Sequence, residues 1–420
     1  MSLLPRRTAV VVFAAFAFAY FFSALLRAIT ATLSPTLTQE FGLNARDLGL
    51  LAGGYFLGFA AMQLPLGKWL DRHGPKKVIL CFLAVAVLGC VLFSMATGFA
   101  GLFMARLLCG AGVGACLMAP LTGFRRWLTP AALLRANSWM LMIASCGMLA
   151  STLPVQWLMP LFGWRPLFLF LAGGILLAMA VIAWKVPRWD TFPPAPAAAM
   201  ASATATHNAQ ANGYAEVWKH SYFRRMVPLG FFTYGGMLSI QTLWAGPWMV
   251  KVTGYAPLEA ATGLFWLNLA MLVTFWTWGM VNPWLQARGI STNRLIAFGL
   301  PVNLAVLGAI ISAGSGAGAL GWTLFCMSCT IVSLAQPAVG MAFPAALAGR
   351  ALSAYNLVIF GGVFTMQWGI GLLIDGFKVA GLAEIDAFRA AMAVFLVCSA
   401  ASYGWFMLAK RHNAPQQVPT

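Results

Sequence analysis

The chain is 420 residues long, 61% hydrophobic and only 8% charged, with 26 Lys and Arg against nine Asp and Glu. So few charges could not keep a soluble domain of this size dispersed, and the composition excludes a water-soluble globular protein. The formal net charge of +17 invites a nucleic-acid reading, but most cations fall in short loops between apolar runs, where membrane topology places them; no nucleic-acid partner is expected.

A helix crosses a hydrocarbon layer of about 30 Å with about 20 apolar residues. Twelve such runs are predicted, near 8 to 33, 46 to 66, 77 to 97, 99 to 122, 137 to 158, 164 to 185, 223 to 249, 258 to 281, 293 to 313, 317 to 341, 351 to 374 and 385 to 409. The first is too long for a cleavable signal peptide and lacks a small-residue cleavage site, so it is expected to remain as an anchor. Placing the N-terminus in the cytoplasm gathers 19 Lys and Arg on that side and leaves five, Arg46, Arg165, Lys251, Lys378 and Arg389, on the other. Both termini are therefore expected inside, in an inner membrane. All eight Cys lie in apolar runs, which argues for packing and against a disulfide framework.

Within the first run, Tyr20, Ser23, Arg27, Thr30 and Ser34 recur at helical spacing and form one polar stripe. The loop after the second run reads GKWLDRHGPKK and places Asp71, one of very few acids, among cations. A carboxylate at a helix end can accept hydrogen bonds from the start of another helix and pair with Arg. The fourth run contains RLLCGAGVG with Arg106; its glycines let helices approach closely, and with no preceding strand it is not a dinucleotide loop. Between the sixth and seventh runs, WDTFPPAPAAAMASATATHNAQANG has the composition of a flexible linker. The predicted organisation is a six-helix bundle over 1–186, a cytoplasmic linker over 187–222, a second six-helix bundle over 223–410 and a tail over 411–420.

The two halves repeat. WLDRHG has a counterpart in WLQARG 215 residues on, and the first-run stripe maps at an offset of 214 onto Tyr234, Met237, Gln241, Trp244 and Trp248. Duplicated bundles meeting at a midplane site are a transporter pattern. Arg27 and Arg106 are the charges well inside a span, and at that depth each needs a partner or a wet cavity. Arg27, Tyr20, Gln241, Trp244, Tyr234, Asn268, Gln156 and Asn356 are the candidate substrate contacts. No Asp, Glu or His is central in a span, so no proton relay of the usual kind is expected there.

The loop with Gly67, Leu70, Asp71, Arg72, Gly74, Lys76 and Lys77 resembles the signature between the second and third helices of the major facilitator superfamily. RLLCGAGVG is similar to that family's fourth-helix motif, and GWRPLF at 163 to 168 to its loop before helix six. The resemblance implies an all-α membrane protein of twelve transmembrane helices in two six-helix bundles related by a pseudo-two-fold axis. It implies that Gly67, Asp71, Arg72 and Gly74, with Arg125 or Arg126, fasten the halves on the cytoplasmic side, Asp71 reaching the start of the eleventh span near Leu352 and Ser353; that Arg106 serves packing and coupling; and that Arg27, at a place where anion carriers often hold an Arg, pairs a substrate carboxylate or phosphate. The sequence departs from related anion symporters at Val113 and Leu26, where acids are frequent, and this puts proton coupling through those positions in doubt.

No paired carboxylates, activated nucleophile or phosphate loop appears, so the chain is not expected to be an enzyme, and no cofactor or resident metal is expected. The reading is a monomeric secondary transporter, embedded in the bilayer, for a small anionic solute. The alternatives are a soft-metal (copper) importer using Cys326, Met327 and Cys329, a drug or metabolite exporter, and a transporter-like sensor.

Overall fold

The computed structural model describes residues 4–187 and 213–409. Most of the expected linker and the tail lie outside the described residues. The described residues form helices and no strand.

Span 1 is Arg6–Phe41. Spans 2 and 3 are the arms of one 51-residue helical segment, Ala45–Met95, which drawn straight would run about 76 Å, more than twice a bilayer core. It turns back at Gly74, whose φ of 75° and ψ of 164° no helix accommodates. Trp69 and Phe82 then meet edge to face across the turn at 5.8 Å. Span 4 is Phe99–Trp127, and span 5 is a pair of helices, Arg135–Ala150 and Leu153–Phe162, bent by 43°. At the bend the Thr32 hydroxyl donates to the Ser151 carbonyl at 2.8 Å, satisfying a backbone group that the break would otherwise orphan. Span 6 is Trp164–Lys185.

A short helix, Gly213–Lys219, precedes span 7, which runs over 221–251 and contains two π-wound stretches, Leu229–Tyr234 and Ile240–Trp244. Spans 8 to 12 are Pro257–Ala287, Thr292–Gly316, Ala319–Met341, Ala345–Val379 and Glu384–Leu408. The twelve predicted runs thus all appear as helices.

Each half has its own core. One cluster is built almost wholly from spans 1 to 6, the other from spans 7 to 12, and the residues that cross over, such as Ala31, Leu48, Ala52 and Val363, belong to spans 1, 2 and 11. The two-bundle architecture follows: each bundle buries its own apolar faces, and a few spans carry the contact between them.

Glycines set that contact. The place of a side chain at Gly49 is occupied by the Gln367 carbonyl, at Gly371 by the Ala45 carbonyl, and at Gly246 by the Ala31 carbonyl. At the same end the Asp375 carboxylate accepts hydrogen bonds from the backbone N–H groups of Ala45 (3.3 Å) and Arg46 (2.7 Å), the first residues of span 2. At the opposite end, a cleft of about 520 Å³ opens between Leu64, Pro65 and Lys68 of span 2, Ala354 and Leu357 of span 11, and Tyr214 and Trp218 of the short helix.

Candidate substrate site between the two bundles

Arg27 does not reach an outer surface. Its guanidinium lies 5.8 Å from the centre of the Phe59 ring, on span 2, and 6.0 Å from that of Phe360, on span 11. It therefore stands between the halves. The hydroxyls of Tyr20 and Tyr55 reach it, and Tyr234, on span 7, is close enough to interact electrostatically. Its Nε is buried without a hydrogen-bond partner, and among the described residues no carboxylate pairs with it. A buried guanidinium N–H left without a partner, beside aromatic faces, is suited to a planar anion.

Arg106 supports this arrangement from behind. It is fully buried, its Nη1 donates to the Leu26 carbonyl at 2.8 Å, and its guanidinium lies 4.9 Å over the Tyr55 ring. Tyr55 in turn donates to the Ser23 carbonyl at 2.9 Å. One cation thus fixes both the backbone beside Arg27 and a tyrosine that contacts it. Close packing makes this reachable, because the place of a side chain at Gly110 is filled by the Tyr55 backbone.

The remaining expected contacts divide. Gln241 donates to Asn268 at 2.9 Å, and Asn268 donates to the Leu264 carbonyl at 2.8 Å, so this pair is internally satisfied, with Met148 of the first half at 3.9 Å. Asn356 accepts from Gln336 at 2.7 Å within the second half. Gln156 is half-buried in the second helix of span 5. Trp244 is a correction: it is fully buried, its indole N–H donates to the Gln367 carbonyl at 3.1 Å, and it packs on Phe388. The π-wound stretch Ile240–Trp244 shifts the helical register after Tyr234, so residues that share a stripe at a period of 3.6 no longer share a face. Tyr234 turns to Arg27 and Trp244 to the second core.

The signature loop also differs from expectation in one respect. Span 11 begins at Ala345, so Leu352 and Ser353 are two turns inside the helix and offer no free N–H groups to Asp71. Asp71 is exposed on one side and makes no hydrogen bond or ion pair with the described residues; desolvation by partial burial raises its carboxyl pKa. Arg72 and Arg125 are exposed and Arg126 half-buried, while Gly67 has open space around it.

Phe59 and Phe360 were not singled out by the sequence, whereas Asp375 and Glu259 stand out in it as acids near outer span ends. A Phe among 31 carries no pattern, whereas the scarcity of acids was a usable signal for Asp375. Glu259 accepts from the Ala256 N–H at 2.9 Å and caps its own helix. Cys326 and Cys329 are buried in the second core, Cys329 with its thiol 3.8 Å from the Thr233 carbonyl, and among the described residues no three His, Cys, Asp or Glu side chains gather as a metal site.

Known proteins resemble this chain in sequence and in fold. The chain is 28% identical over 421 residues to a gallate transporter of Pseudomonas putida, covering 87% of each sequence. It is 27% identical over 254 residues to a probable sulfoacetate transporter of Cupriavidus necator, covering 56% of each. Among solved structures, a bacterial homologue of the human lysosomal transporter Spinster, in an inward-facing, unoccupied conformation, superposes with a TM-score of 0.75 at 16% identity over 97% of this chain and 98% of that one. The family model of the Major Facilitator Superfamily matches residues 16–366. With two helical bundles, the signature turn at Gly74 and that match, the chain belongs to the major facilitator superfamily and is a multi-pass membrane transporter, not an enzyme.

Proposed function

We propose that the protein imports a small aromatic carboxylate by alternating access, with Arg27 binding the carboxylate. The observation that carries this reading is the Nε of Arg27, buried between the bundles without a hydrogen-bond partner, on a guanidinium bordered by Phe59, Phe360, Tyr20, Tyr55 and Tyr234. A guanidinium fork matches a carboxylate, and the phenyl faces favour a ring beside it, a contact worth about 0.5–1.5 kcal/mol beyond area burial. The hydroxyls of Tyr20 and Tyr234 offer hydrogen bonds to ring substituents, that of Tyr55 being committed to the Ser23 carbonyl. The gallate transporter, alike over most of the chain, supports an acid of this class. The positive-inside distribution places the Asp71 end in the cytoplasm, so a molecule closed at the Asp375 end and cleft at the Asp71 end corresponds to an inward-facing state. In the outward-facing state Asp71 closes the cytoplasmic end with Arg72, Arg125 or Arg126.

Calorimetric titration of the purified protein with benzoate, hydroxybenzoate, gallate and sulfoacetate tests the proposal. The aromatic acids are expected to bind, and Arg27→Ala to lower their affinity roughly ten- to a hundredfold, the loss of a hydrogen bond to a charged group. Arg27→Lys keeps the charge but loses the fork and should also weaken binding. Unchanged binding by Arg27→Ala removes the anion site. Tighter binding of sulfoacetate than of any aromatic acid keeps the anion and removes the ring.

A further inference from the structure

A second cavity lies away from the site between the bundles. Span 4 packs against spans 2 and 3 along Gly54, Gly58, Gly89 and Gly112, where side chains would meet backbone or ring atoms of the neighbouring helix. Its α-helical winding is interrupted between Val113 and Met118. Near that interruption, at the Asp71 end, the spans leave a groove of about 500 Å³, within the roughly 300–1,000 Å³ of small-ligand pockets. Its wall is apolar, built from Met62, Phe82, Val85 and Ala111, and its rim carries Trp69, His73 and Lys77. No carboxylate is among the residues that line it.

The groove faces outward. Cys81 and Val85 line it and share a helical stripe with Leu88 and Leu92, which are 51% and 40% exposed on the outside of span 3. An exposed apolar stripe on a spanning helix meets lipid. Trp69, 39% exposed and edge-on to Phe82, has the amphipathic character of residues at headgroup level. Lys77 is exposed beside it, and Lys68, Arg72 and Lys76 make the surrounding turn cationic, with Asp71 its single acid.

We propose that this groove binds one anionic phospholipid from the leaflet at the Asp71 end, its phosphate at Lys77 and His73 and an acyl chain along Met62, Phe82 and Val85. Charge complementarity selects the occupant: basic rims between spanning helices attract anionic headgroups, and the dry wall below suits hydrocarbon. A free anion would leave the apolar wall unfilled. The site lies in the bundle of spans 1 to 6 and does not depend on the transported solute. Its position on the turn that joins spans 2 and 3 allows an occupied groove to stiffen that turn.

Native mass spectrometry of the full-length protein, released from vesicles of equal parts phosphatidylglycerol and phosphatidylcholine, reads the site directly. One phosphatidylglycerol is expected to be retained in preference to phosphatidylcholine. Lys77→Ala should lower that retention about fivefold, the effect of one cation near an anionic surface, and Lys77→Arg should preserve it. Val85→Trp, which fills the groove without altering charge, should displace the lipid. Lys68→Ala, on the same turn but lining the other cleft, should leave retention unchanged. Equal retention of the two lipids, equal loss in Lys68→Ala and Lys77→Ala, or full retention in Val85→Trp would each overturn the proposal.

Discussion

The two ends of the molecule hold the same pair of helices differently. At the Asp375 end, spans 2 and 11 meet backbone to backbone through Gly49 and Gly371, and a carboxylate on span 11 caps the start of span 2. At the Asp71 end an acid follows span 2 in the signature turn, yet a cleft opens between the same helices and the acid makes no hydrogen bond or ion pair with the described residues. An acid beside a helix end is therefore not enough to close it. Closure also needs small residues that bring the free N–H groups within hydrogen-bond reach.

The two ends differ most at Gly49. A methyl group there would occupy the space of the Gln367 carbonyl, and forced overpacking costs about 1–3 kcal/mol, a five- to hundredfold shift between states. Gly49→Ala should therefore populate molecules parted at the Asp375 end. Spin-label distances across that end should lengthen; if they do not, the glycine contact is not what holds it. Gly371→Ala, against the Ala45 carbonyl, gives an independent reading.

A smaller effect is expected from Asp375→Asn. The amide keeps one acceptor but loses the charge that favours a helix N-terminus, worth about 1 kcal/mol for a partly exposed cap, or roughly fivefold in the population of the closed end. Uptake should change with ligand affinity nearly intact, because a cap acts on a conformational equilibrium and not on the site. A change in affinity alone would move Asp375 into the substrate pathway.

The smallest expected effect belongs to Asp71. It is unpaired in this state, so Asp71→Asn should leave the geometry described here unchanged and disfavour only the state closed at its own end. The pH dependence has a definite sign. Desolvation raises the Asp71 carboxyl pKa in the parted state, whereas pairing with Arg in a closed state would lower it. Acid pH should then favour the parted state, and Asp71→Asn should remove that dependence from the spin-label distances across the Asp71 end. Persistence of the dependence would assign it to another group.

The sequence by itself determined the number of spans, the division into two bundles and the family. These follow from counts of apolar residues against a fixed bilayer thickness and from short motifs at the turns, and neither depends on how distant parts of the chain meet. It also pointed to Arg27, because a charge at membrane depth is costly wherever the helix is placed. Only the tertiary structure decided what surrounds that charge. Phe59 and Phe360 lie 301 residues apart and come together through glycine contacts that no local pattern announces. The stripe does not hold for Trp244 because the π-wound stretch Ile240–Trp244 in span 7 resets the register between it and Tyr234. Which end stands closed is a property of the packing of two bundles, and the choice between Asp71 and Asp375 belongs to that packing, since both acids satisfy the same local rule.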